Sequence, residues 1–133
     1  MTHIPATDLA TEIGSQVASL TLGTNLFASM IRAPDSNVPR DSVFVWGSGG
    51  PSPLRTMGDP DEIRVAMVII RVRSAKSKDG SDLAHSIMDL LRGDDVSTYL
   101  EVIVASSEPV AMGKDPDGNH YFGLIYFMTY QEP

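Results

Sequence analysis

With 133 residues, 42% of them hydrophobic and 20% charged, the chain has the size and make-up of one soluble globular domain around one core. It contains no cysteine, which excludes a disulfide framework, a thiolate metal site and a cysteine nucleophile. A formal net charge of −7 argues against general nucleic-acid binding, which needs a basic surface for phosphate contacts.

The opening MTHIPATDLA has neither a basic segment nor an apolar run, so it does not read as a secretory signal. Residues 1–6 are expected to be a flexible end. In TDLATEIGSQVASL, Leu9, Ile13, Val17 and Leu20 recur at helical spacing and predict an amphipathic first helix. Thr7 or Asp8 is the expected cap, and Gly23 ends the segment. TNLFASMIRAP reads as a strand with Leu26, Ala28 and Met30 on one face and Phe27, Ser29 and Ile31 on the other. Pro34 and Pro39 bracket a polar turn, and Ser42 to Trp46 form a second short strand.

Residues Gly47 to Asp61 carry four glycines and three prolines with no period, which predicts one long loop. Ile63 to Arg73, IRVAMVIIRVR, is the strongest strand signal. Its middle is apolar on both faces, as in a central strand. Its longest purely apolar run, Val65 to Ile70, is far shorter than the roughly 20 residues a membrane helix needs. SAKSKDG reads as a polar turn. SDLAHSIMDLLRG reads as a second helix capped by Ser81, with Leu83, Ile87, Leu90 and Leu91 as its buried stripe and Gly93 as its stop. Tyr99 to Ala105 is a strand, SSEPV interrupts it, and Ala111-Met112 is placed to continue it. KDPDGN is a turn, and His120 to Tyr130 is a last strand, also apolar on both faces. Residues 131–133 are expected to be a flexible end.

The order α-β-β-β-α-β-β predicts one α+β domain over residues 1–133. It is a four- to five-stranded mixed or antiparallel sheet with two helices packed on one face. Two helices cover one face, yet two strands are apolar on both. The second face therefore calls for cover, and a partner subunit is the simplest.

The candidate chemical sites fall away one by one. VFVWGSGGPSPLRTMG looks like a strand entering a phosphate cradle. A P-loop needs GxxxxGK[ST] and then a helix, whereas Gly50 is followed by Pro51-Ser52-Pro53. GxGxxG fails at the same step. The Asp115/Asp117/Asn119 alternation resembles a calcium loop, but the glycine falls at position four and Tyr126 at position twelve, where an EF-hand needs Gly at six and Glu at twelve. A hairpin turn is the simpler reading. His3, His85 and His120 have no metal-ligand spacing: His3 lies in the N-terminal end, His85 off the helix stripe and so in solvent, and His120 at a strand start. No nucleophile elbow occurs. Neither a cofactor nor a catalytic residue is assigned. Arg64, Arg71, Arg73, Lys76 and Lys78, half of the ten lysines and arginines, lie close together in sequence. In an acidic protein they read as a solvated strand end and turn or as an anchor for an acidic neighbour, with nucleic acid as a weaker third option.

An amphipathic helix leads into LTLGTNLFASMIRAPDSNVPRDSVFVWGSGG. A long strand ends in Arg71 and Arg73, and SDLAHSIMDLL, YLEVIVASSEP and an aromatic last strand follow. Over about residues 7–131 this layout resembles the tail terminator (tail completion) proteins of long-tailed bacteriophages and the minor capsid proteins grouped with them. The resemblance implies a non-catalytic structural virion protein without cofactors. It implies a homo-oligomer, a hexameric ring, assembled in the host cytoplasm and placed at the tail–neck junction. Such a ring caps the tail tube protein, stops tube polymerisation and docks the head-completion or neck protein. DNA only passes through its channel, and no membrane is involved. The family supplies no residues to carry over one by one. From the residues themselves the expected interaction positions are Gly47, Ser48, Gly49, Gly50, Pro51, Pro53, Leu54 and Arg55 in the long loop and Arg71 and Arg73 on the strand. Glu108, Lys114, Asp115 and Asp117 are added between Glu108 and His120. Another neck component, or a small ligand-binding α+β domain, is the alternative.

Overall fold

The computed structural model describes residues 3–28, 40–50, 54–55, 62–91, 96 and 98–132. Helix α1, Pro5–Gln16, packs Leu9, Ala10 and Ile13 into the core. Pro5 occupies its first turn and Ile4 its cap position with no side-chain cap bond. A proline is pre-set for the first helical position, where its missing N–H costs nothing. The helix thus starts before Thr7 and Asp8, the expected caps, and inside the segment expected to be flexible. Asp8 instead accepts a 2.5 Å hydrogen bond from the Tyr99 hydroxyl.

Strand β1, Leu26–Phe27, runs parallel to β2, Ser42–Gly47. The remaining strands are β3, Leu54–Arg55, β4, Glu62–Ser74, β5, Glu101–Val104, β6, Val110–Lys114, and β7, His120–Glu132. Of the strand expected over residues 24–34, the described part pairs at Leu26 and Phe27 only; residues 29–39 lie outside the described residues. The seven strands form a sheet that is five wide, in the order β1-β2-β4-β7-β5. The two short additions explain the difference from the expected four or five strands. β3 follows β2 along one edge of β4, and β6 precedes β5 along the far edge of β7. β4 and β7 pair antiparallel from Glu62↔Glu132 to Ser74↔His120, so the chain end expected to be flexible closes this ladder. Two long central strands with neighbours on both sides need apolar residues on both faces, as their sequences carry.

Alternation along the strands sends Val43, Val45, Val68, Ile70, Val72, Phe122, Leu124, Tyr126 and Met128 to one face. There they form a single buried cluster with Leu9 and Ile13 of α1 and with Ala84, Ile87, Met88 and Leu91 of α2, Ser77–Leu91. The α+β class with two helices on one face of a mixed sheet is therefore observed. α2 begins four residues before the expected Ser81 and absorbs most of the polar turn. Asp41 sets this start: its Oδ1 accepts from the Ala75 amide at 2.9 Å and the Ser74 hydroxyl at 2.8 Å. Gly80 lies against the sheet, and a Cβ there would sit 2.9 Å from the Phe122 ring. It is glycine because the helix must approach the strand closely. The buried stripe runs through Gly80, Ala84, Ile87, Met88 and Leu91, while Leu83 and Leu90 are half-buried. No helix among the described residues is long and apolar enough to cross a membrane.

Candidate interaction surface

The opposite face of the sheet carries the odd-numbered residues of β4 and β7. Cross-strand register aligns Phe44–Arg71–Gly123–Val110, Trp46–Ile69–Ile125 and Met67–Phe127–Ile103 in rows. Neither helix packs there, since both contribute to the cluster on the other face. Ile103, Val110, Met112 and Ile125 are 46%, 53%, 47% and 37% exposed. Isolated exposed apolar residues are ordinary, but four neighbours on one sheet half form a patch. Gly123 makes room for it: a Cβ there would stand 2.8 Å from the Met112 sulfur.

At one end of this face the side chains turn aromatic and cationic. The Arg71 guanidinium lies 5.1 Å from the Trp46 ring centroid and 5.8 Å from that of Tyr121. Arg73 lies 5.3 Å from Phe44, and Phe44 stacks on Phe27 at 5.6 Å. Such cation–ring contacts hold a guanidinium flat against the sheet. Arg71 Nε is buried and has no hydrogen-bond partner. Arg73 Nε, by contrast, donates to the Arg40 carbonyl at 3.2 Å.

Beside this shelf stands the β6–β7 hairpin, and DPDGN makes the expected turn. Asp115 N–H donates to the Asn119 carbonyl at 2.9 Å, and Gly118 takes φ +88°. The Asp115 carboxylate accepts from the Asn119 amide at 2.8 Å and from the Tyr121 hydroxyl at 2.8 Å. These oxygens serve the turn itself, and no cluster of His, Asp and Glu able to hold a metal occurs among the described residues. Arg40, which sequence reading passes over, braces the turn by donating to Asn119 Oδ1 at 2.8 Å and the Asp117 carbonyl at 3.2 Å. Its role depends on contacts between residues nearly eighty positions apart, so no local pattern signals it.

The backbone bond from Asn119, aided by the Tyr121 hydroxyl, lowers the Asp115 pKa below its ordinary value. Burial, with Asp115 nearby, raises that of Tyr121. A carboxylate with a lowered folded-state pKa contributes stability in full above its unfolded value, about 4, and loses it as pH falls through the folded value. The hairpin is therefore expected to loosen below about pH 4, with the Asn119 amide exchanging faster. Asp115→Asn should flatten that pH response in amide exchange.

The structure brings Arg71, Arg73, Lys114, Asp115 and Asp117 to this one end of the sheet. It disperses the rest of the basic cluster. Arg64 points to the other face and pairs with Glu62 at 3.0 Å, and Lys76 and Lys78 are solvated at the start of α2. Glu108 is exposed in the turn between β5 and β6. The long loop is not a free arm where it is described. Gly47 belongs to β2, Ser48 N–H donates to Met67 O, and Met67 N–H donates to Gly49 O, both at 2.8 Å. Leu54 and Arg55 pair with Ile63 and Glu62. Gly47 to Gly50 and β3 thus prolong the sheet of their own domain, because β4 is long enough to template both. Pro51 and Pro53 lie outside the described residues. His3, expected in a flexible end, lies against Tyr99 and Tyr130 with ring centroids 5.0 and 4.8 Å away. His85 is exposed, as its position off the stripe predicts. No protein-family model and no curated protein matches this chain.

Proposed function

We propose that the protein is a structural virion component, a tail terminator that works as a homohexameric ring by surface complementarity rather than by catalysis. The observation that carries this reading is the sheet face on which neither helix packs, with Ile103, Val110, Met112 and Ile125 exposed and Arg71 set against Trp46. Covering such a patch is worth on the order of 1 kcal/mol per half-exposed side chain, so a ring gains at every interface. A heterologous contact repeated around a closed ring leaves two unlike ends, one to cap the tail tube and one to receive the neck. The α+β fold supports the reading, and so does the acidic balance of the chain. Like charge keeps passing DNA from sticking to a channel wall.

The purified chain is expected to run as a hexamer in size-exclusion chromatography with light scattering, and its removal from a phage should give overlong, headless tails. A monomer that binds a defined small ligand would replace this reading with that of a ligand-binding domain. Normal-length tails without heads would replace it with that of a head–tail joining protein.

A further inference from the structure

The Arg71 guanidinium lies near the Trp46 and Tyr121 rings. Its Nε is buried without a hydrogen-bond partner, and among the described residues it makes no ion pair. A half-buried guanidinium whose Nε has lost water and gained no acceptor, in a chain of net charge −7, is an incomplete site, because buried polar groups are stabilised by pairing. The planar group lies against the Trp46 and Tyr121 rings, which supply no acceptor for its N–H groups, and a carboxylate is the natural partner of that fork.

The same chain offers the complement elsewhere. The β5–β6 edge carries Ile103, Val110 and Met112, all exposed, and Glu108 lies in the exposed turn between the strands. Glu108 makes no ion pair among the described residues. Among the described residues no strand pairs with the outer side of this edge. It is an edge with three exposed apolar side chains and an acid in its turn, and the shelf is an aromatic floor on which Arg71 makes no ion pair among the described residues.

We propose that the β5–β6 edge of a second copy of this chain seats on the Arg71–Trp46–Phe44 shelf, with the second copy's Glu108 carboxylate accepting from the Arg71 guanidinium. The contact is edge to face, so it is heterologous and repeats around a closed ring. This inference rests on the ring reading and names the pair of surfaces that would build it.

The test is light scattering of the full chain at several concentrations, with a thermal melt of each variant. Arg71→Met keeps an apolar stem between Trp46 and Tyr121 and removes the charge. Its melt should stay near that of the wild type measured as a dilute monomer, while assembly weakens about tenfold or more. Glu108→Arg, an exposed change outside the fold's core, should weaken assembly similarly. The exchange Arg71→Glu with Glu108→Arg should restore it. A wild type that stays monomeric overturns the ring reading and this pairing with it. A wild type that assembles, with Arg71→Met or Glu108→Arg assembling equally well, overturns the pairing and leaves the ring. So does a double exchange that fails to restore assembly. Arg71→Met rings that form normally but no longer cap tail tubes would assign the shelf to the tube protein and overturn the pairing.

Discussion

Gly50→Ala is expected to destabilise the protein by more than about 2 kcal/mol, through backbone strain and a clash that has no soft partner. At Gly50 the backbone takes φ +139°, and an added Cβ would lie 2.1 Å from the Val65 carbonyl oxygen. The atom it meets is main chain in the middle of the central ladder, so it cannot swing aside as a side-chain tip would. Relief requires peeling residues 48–50 away from β4, which breaks the Ser48–Met67 and Met67–Gly49 hydrogen bonds. The neighbouring glycines calibrate the effect. Gly49 has φ +83° but open space around it, so Gly49→Ala should cost only the left-handed backbone term, about 1 kcal/mol. Gly47 has neither strain nor crowding, and Gly47→Ala should be close to neutral. Chemical denaturation of the three variants gives the order, and amide exchange at Ser48 and Met67 shows whether the strand extension is what is lost. Equal melts for Gly49→Ala and Gly50→Ala would refute the close approach. Of the glycines that look like a phosphate cradle, Gly50 is thus the one required by a close approach, where the chain lies against the β4 backbone.

This case shows where the sequence is legible and where it is not. Long elements declare themselves. The apolar runs of β4 and β7 and the Leu9/Ile13 spacing of α1 are strong because thirteen- and twelve-residue elements repeat their period several times. The two-faced apolarity of β4 and β7 also announces the surface: one face goes to the helices and the other is left to the aromatic–arginine shelf and the exposed patch. The short elements are silent. β3 is two residues long, and its pairing is imposed by the overhang of β4, which no local window contains. β6 is exposed throughout and irregular between Ala111 and Lys114, so it has no alternating burial to read. The start of α2 is decided by Asp41, more than thirty residues upstream, and the brace at Arg40 works across almost eighty. Arg71 and Arg73 are visible as charges at a strand end. That Arg73 Nε finds the Arg40 carbonyl while Arg71 Nε has no acceptor among the described residues follows only from what surrounds each in space.

Leu124→Ala and Ile125→Ala, adjacent changes on one strand, are expected to separate folding from assembly. Leu124 is fully buried in the helix-side cluster, beside Ile70 across the strand pair. Its truncation removes three carbons' worth of packing and leaves a cavity the tight layer cannot fill, costing about 2–5 kcal/mol. That is a large share of the stability of a domain this size, and the thermal midpoint should fall accordingly. Ile125 faces the other way, 37% exposed between Trp46 and Ile69 on one side and the β5–β6 edge on the other. With water already at one side of it, Ile125→Ala should cost the monomer about 1 kcal/mol or less, the transfer term without a closed cavity. Under the ring reading, its larger effect is on association, because the same side chain lies in the centre of the surface a neighbour would cover. Melts and light scattering on the two variants should therefore rank them in opposite orders. A loss of stability at Ile125 as large as that at Leu124 would mean that the second face is core for its own domain. Its cover would then be supplied by the chain itself.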